Sequence, residues 1–159
     1  MTLDAKLKLK LQFLMRVVRK ESEHLAFTDG RLFASEFTLA QVKSFEVDPN
    51  LAERVEAFVG RFCRLQDTVG DKLLPQLLFA MGERTASHID NLDCAERLGL
   101  IESAEGWMTM RNLRNQMVHE YVEDPAILLN ALQTGHLFVP ILSTATNNML
   151  LEIERRGWI

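Results

Sequence analysis

The stretch LAERVEAFVGRFCRLQDTVGDKLLPQLLFAMG, residues 51–82, decides how this chain must fold. Its apolar residues Leu51, Val55, Phe58, Phe62, Leu65, Val69, Leu73 and Leu77 recur every three or four positions. That spacing lays them along one stripe of an α-helix, whereas a strand would scatter them over two faces. A long helix over 51–82 follows. Gly70 and Pro75 stand where they can kink or split it, because proline withdraws a backbone N–H and crowds the preceding turn.

The same period extends in both directions. Upstream, Leu7, Leu11, Leu14 and Val18 predict a helix over 3–26 that stops near the turn signal Asp29-Gly30. A short helix over 39–45 is announced by Thr38 and Gln41, spaced as a capping box, and Asp48-Pro49-Asn50 is expected to close it. Downstream, a shorter piece over 86–98 meets the stop residue Gly99. A further helix covers 103–121. The last begins at Asp124-Pro125, a good cap followed by proline at the first helical position. It carries Leu128, Leu132, Phe138, Ile141, Ala145, Met149 and Ile153, with a bend expected at Gly135 and Pro140. No β-alternating run of useful length, repeat or low-complexity linker interrupts the pattern. The expectation is an all-α single domain over residues 1–159, an antiparallel up-and-down bundle of four to five helices.

Composition narrows the function classes. Apolar residues make up 47% of 159, enough for one core without staples. The net charge of −4 does not advertise nucleic acid, yet a local basic cleft would vanish in that sum. Cys63 and Cys94 lie in no CxxC pair and read as buried, reduced thiols, and a zinc site lacks its ligands. The first ten residues alternate Lys and Leu without a signal core. The best continuous apolar run, residues 137–142, falls far short of the ~20 residues of a membrane span. A cytoplasmic protein is expected, with no metal and no cofactor.

Chemistry concentrates in Arg114-Asn115-Gln116-Met117-Val118-His119-Glu120-Tyr121. At ~100° per residue, Trp107, Met110, Arg114, Val118 and Tyr121 share one helix face, and Arg111, Asn115 and His119 form a polar stripe beside it. An arginine on a mostly apolar face needs a partner. One reading gives Arg114 a structural ion pair with Asp67 or Asp71. Those two carboxylates, four residues apart and flanked by Arg64 and Lys72, read as a solvated salt-bridged face. His24, His88 and His136 lack ligand partners at metal spacing and read as structural. No glycine-rich phosphate loop and no Ser/His/Asp arrangement is present.

The motif resembles that of the HEPN family, in its HepT toxin branch, where Arg, a polar residue, His and Tyr follow the pattern Arg-x4-His-x-Tyr. Arg114, Asn115, His119 and Tyr121 match each fixed position, and Glu123-Asp124-Pro125 and the long last helix also fit. Arg64-Leu65-Gln66-Asp67 and Asp71-Lys72-Leu73-Leu74 occupy the helix where similar proteins carry related residues. The resemblance implies a homodimer whose cleft holds two copies each of Arg114, Asn115 and His119, acting on RNA as a metal-independent endoribonuclease. RNA supplies its own nucleophile, the 2′-hydroxyl. Histidine suits proton transfer near neutrality and the arginine fork suits phosphate. Arg111 is a possible phosphate-binding neighbour. Arg114 and His119 stand ~140° apart on one helix, which suits a site shared between two chains. The resemblance further implies a cognate MntA-like nucleotidyltransferase antitoxin that transfers AMP to Tyr121. Two other readings are a non-catalytic, nucleotide- or substrate-binding companion of a nucleotidyltransferase, and a plain scaffold.

Overall fold

A computed structural model describes residues 2–84, 86–119 and 123–159. Every regular element among them is helical. In chain order these are α1 (Ala5–Leu32), α2 (Leu39–Lys43), α3 (Pro49–Asp67), a π-helical segment (Thr68–Leu73), α4 (Leu74–Ala80), α5 (His88–Arg97), α6 (Ala104–His119) and α7 (Pro125–Arg155). The expectations for Glu120 and Tyr121 concern positions outside the described residues.

Local chemistry sets most boundaries. Asp4 caps α1 by accepting from the Leu7 amide at 3.2 Å. Thr38 and Gln41 form a reciprocal capping box on α2. Asp124 accepts from the amides of Ala126 and Ile127 to start α7, with Pro125 in the first turn. Gly99 ends the α5 unit with φ +77°, a left-handed value that suits glycine.

Three boundaries differ from the sequence reading. Helix α1 runs through Asp29-Gly30 to Leu32, because Leu25 and Leu32 are both buried and packing outweighs the turn propensity. The Asp29 carboxylate, instead of closing a turn, lies 2.7 Å from His136 Nδ1. Asp48 does not close α2 but caps α3, accepting from Leu51 N at 3.1 Å. The long third helix is split by the π segment. Pro75 has no N–H to close on the preceding turn, and Gly70 lets another helix approach there.

The stripe from Leu51 to Leu77 is buried throughout and forms the centre of one hydrophobic cluster. Phe58 stacks near Phe62 with ring centroids 6.0 Å apart, and Phe33 meets Phe58 edge-on at 5.4 Å. Helix α1 packs chiefly on α3, and α7 packs on α6, α1 and α2. At Gly135 an added Cβ would stand 2.2 Å from Met117 Cε, so α6 and α7 approach closely there.

Helix α7 corrects two expectations. Ile141 is exposed and Phe138 packs only half-buried against the edge of the core, whereas Val139 and Leu142 are the buried residues of that turn. Phe138 and Ile141, with Trp107 and Pro140, line an open recess of about 710 Å³. By length and composition alone α7 could also cross a membrane. Ala, Thr, Asn and Gly separate its leucines, so no unbroken apolar run marks it in the sequence. From Pro125 to Leu151 it carries no Asp, Glu, Lys or Arg. Its buried face, Leu128 through Ile153, packs into the protein core.

Candidate functional site

The site is assembled where α6 crosses the π segment. Trp107, 3% exposed, lies over Gly70; a Cβ at that glycine would stand 3.0 Å from the indole Nε1. This contact seats α6 against the junction of α3 and the π turn. Arg114 then reaches Asp67, Nη1 to Oδ1 at 2.5 Å, and Arg111 approaches Asp71 at 3.7 Å. His88, the first residue of α5, places Nδ1 3.4 Å from the same Asp71 oxygen. Two aspartates four residues apart thus meet two arginines three residues apart, in reversed order, with a histidine at the open end.

The partners of Asp67 and Asp71 therefore come from α6 and α5, not from Arg64 and Lys72. This corrects the reading of a solvated face on a single helix. It also realises the structural pairing for Arg114, with Asp67 as partner. The face of α6 is likewise corrected. Its buried stripe is Trp107, Met110, Leu113 and Met117, while Arg114 is half-buried and Val118 is 50% exposed. The helix turns Leu113 and Met117 inward because they are the apolar members of each i+3, i+4 choice.

Burial shapes the titration here. It pushes the Asp67 carboxyl above its ordinary pKa, against the pull of Arg114, with Asp71 adding repulsion. It lowers His88, with Arg111 acting the same way and Asp71 opposing. Cys63, buried on α3, is pushed up to about 11 by burial, which keeps its sulfur in the thiol form near neutrality. Cys63 and Cys94 are free, and Cys94 is only half-buried. Behind Asp67, the Thr68 hydroxyl lies 3.0 Å from both carboxylate oxygens of Glu21 on α1. Among the described residues, no group of three His, Cys, Asp or Glu could hold a metal ion.

The sequence-predicted residues divide into two sets. Arg111 and Arg114 converge on the aspartate pair. Asn115 and His119 are exposed on α6, and no described residue pairs with their side chains. Tyr121 lies outside the described residues. His88 stands at no ligand spacing in the sequence; its approach to Asp71 and Arg111 comes from tertiary packing of α5, for which the sequence carries no local signal. His136 stacks on Phe33 at 4.2 Å and pairs with Asp29, away from this site.

Comparison with protein-family models, with curated proteins and with solved structures finds no match. The site is thus read on its chemistry. It offers a half-exposed, carboxylate-held arginine pair beside an open strip of Asn115 and His119. Such a strip can bind phosphate and exchange a proton, given a second surface to complete it.

Proposed function

We propose that this protein is a HepT-like toxin, a metal-independent endoribonuclease of HEPN type, whose four to five longest helices form an antiparallel up-and-down bundle in a single domain over residues 1–159. It works in the cytoplasm as a homodimer. The observation that carries the reading is the disposition of α6: His119 and Asn115 open to solvent, with Arg114 beside them and fixed by Asp67. In the RNA cleft, Arg114 holds the phosphate and Asn115 orients it. His119 of one protomer takes the proton of the 2′-hydroxyl as that oxygen attacks phosphorus. The partner's copy returns a proton to the departing 5′-oxygen. The products are a 2′,3′-cyclic phosphate and a free 5′-hydroxyl. Arg111 adds positive charge at the rim.

The dimer reading has its own support. Val118 on α6 and Leu137 on α7 are 50% and 71% exposed, and from Pro125 to Leu151 α7 carries no Asp, Glu, Lys or Arg to oppose a second copy. An MntA-like nucleotidyltransferase antitoxin would silence the toxin by AMPylation of Tyr121, adding negative charge beside the cleft. Intact mass after co-expression with such a partner should show added AMP, lost in Tyr121→Phe.

The test is cleavage of labelled RNA in chelator by the parent and by His119→Ala. The variant should lose ~10²–10⁴-fold in rate while keeping its melting temperature. Equal cleavage by both overturns the reading. The Arg114–Asp67 pair favours one second reading, because a guanidinium already held by a carboxylate suits positioning as well as catalysis. In that reading the chain is a non-catalytic, nucleotide- or substrate-binding companion of a nucleotidyltransferase. Nucleotide binding without RNA cleavage would select it.

A further inference from the structure

Helix α1 presents a cationic and aromatic outer face. At ~100° per residue, Lys6, Leu9, Phe13, Arg16, Lys20, His24, Phe27 and Arg31 fall within one sector of it. All eight are exposed. Phe13 and Phe27 are 56% and 61% exposed, which is unusual for phenylalanine. Each is overlain by an arginine of its own helix: Arg16 stands 6.0 Å from the Phe13 ring centroid and Arg31 5.5 Å from that of Phe27. Helix α1 holds seven Lys and Arg against three acids, in a chain whose net charge is −4. Among the described residues, Lys6, Arg16, Lys20 and Arg31 form no ion pair.

The face deepens at its C-terminal end. There Phe27 and Arg31 join Asn50, Arg54 and Arg61 of the neighbouring α3 segment around a recess of about 420 Å³, with Glu53 as its one carboxylate. Arg61 is braced on the His24 carbonyl at 3.1 Å and on the Thr28 hydroxyl. Glu23, the acid nearest the sector, lines a separate recess with Asn147 of α7.

We propose that this face is a track for a single-stranded polynucleotide. Phosphodiesters lie along Lys6, Arg16, Lys20 and Arg31, unpaired bases stack on Phe13 and Phe27, and the arginine recess receives a phosphate at one end. Charge complementarity selects a polyanion, and exposed rings with cations above them select one with free π-faces. The two rings are ~21 Å apart along the helix, room for several nucleotides between them. An anionic membrane is the poorer occupant, since an interfacial helix needs a continuous apolar strip and here Arg16, Lys20 and His24 interrupt it. The track goes beyond α6 and does not depend on cleavage there.

The experiment uses the full chain carrying His119→Ala, so that binding is read without turnover. Fluorescence anisotropy follows a labelled ~20-nucleotide single strand, as RNA and as DNA, a duplex of the same length, and vesicles of anionic phospholipid. Single strands of either sugar should bind, and the duplex should bind at least tenfold more weakly. Phe13→Leu with Phe27→Leu should weaken binding tenfold or more, and Phe27→Trp should keep it. Replacing Arg16, Lys20 and Arg31 by Ala should lower the slope of log affinity against log salt by about two. Ala at Arg97 and Arg155 should change nothing. Equal binding of the duplex, indifference to the phenylalanine changes, or vesicle binding in place of strand binding would overturn the proposal. Absent cleavage by the parent would overturn only the ribonuclease reading.

Discussion

Helices α1 and α7 are the two longest in the molecule, 28 and 31 residues, and they pack against each other. Their inner faces are alike: Leu11, Val18 and Leu25 on one, and Leu132, Leu142 and Met149 on the other, are all buried. Their outer faces are opposites. That of α1 is cationic and aromatic; that of α7 is uncharged over most of its length and exposes Leu137 and Ile141. The inner faces obey the common demand of the core. The outer faces are free of it, and they diverge in charge and in exposed apolar area.

The comparison can be broken first at the inner faces. Leu25→Ala and Leu142→Ala should each cost ~2–5 kcal/mol in urea unfolding, because each removes fully packed methyl groups. A cost well below ~1 kcal/mol on either helix would show that the two cores are not equivalent. Next come the outer faces. Leu137→Glu with Ile141→Glu should convert the proposed dimer to a monomer in sedimentation, with stability within ~0.5 kcal/mol of the dissociated parent. Phe13→Glu with Phe27→Glu should leave the sedimentation unchanged. If the α1 pair dissociates the dimer and the α7 pair does not, the assignment of surfaces is reversed.

The pairs joining the helices come next in size. Arg19 meets Glu154 at 2.7 Å, but both ends are exposed, so Glu154→Gln should cost no more than ~0.5 kcal/mol in a salt-dependent way. The smallest effect is a difference of sign. Burial raises Glu21 of α1 above 4.5, outweighing its hydrogen bond from Thr68. Hydrogen bonding by Arg156 lowers Glu152 of α7 below 4.5, burial opposing and Arg155 assisting. Glu152 thus contributes stability that is present above pH 4.5 and lost as pH falls through its depressed value. Glu21 does the reverse, favouring the fold below pH 4.5 and losing that contribution as pH rises through its elevated value. Glu21→Gln should flatten the pH–stability curve on the alkaline side of 4.5 and Glu152→Gln on the acid side, checked by melting between pH 3 and roughly 6.

What was legible in the sequence was mostly local. The stripe from Leu51 to Leu77, the Thr38–Gln41 box, the Asp124-Pro125 start and the Gly99 stop each depend on neighbours within a turn or two, and each appears as read. The misreadings occurred where a distant contact decided the outcome. Asp29-Gly30 stays helical because Leu32 is buried and His136 takes the carboxylate. The phase of α6 turned on whether Leu113 and Met117 or Arg114 and Val118 faced inward, and periodicity alone allows both. In the candidate site, Asp67 and Asp71 were named as possible partners of Arg114, but the pairing lies 47 residues away in sequence. His88 was invisible for the same reason, since α5 reaches Asp71 only after folding.

The π segment sets the register between the core stripe and the charge cluster. A π turn holds one residue more than α pitch would, so Thr68–Leu73 behaves as a helix with a spare residue accommodated rather than expelled. Removing one residue there would return that turn to α pitch with Leu65 and Leu77 still in phase for the core, although Pro75 would still kink the helix. The casualty would be the placement of Asp71 under Arg111 and His88. A single deletion there should therefore disturb the charge cluster while sparing the core stripe.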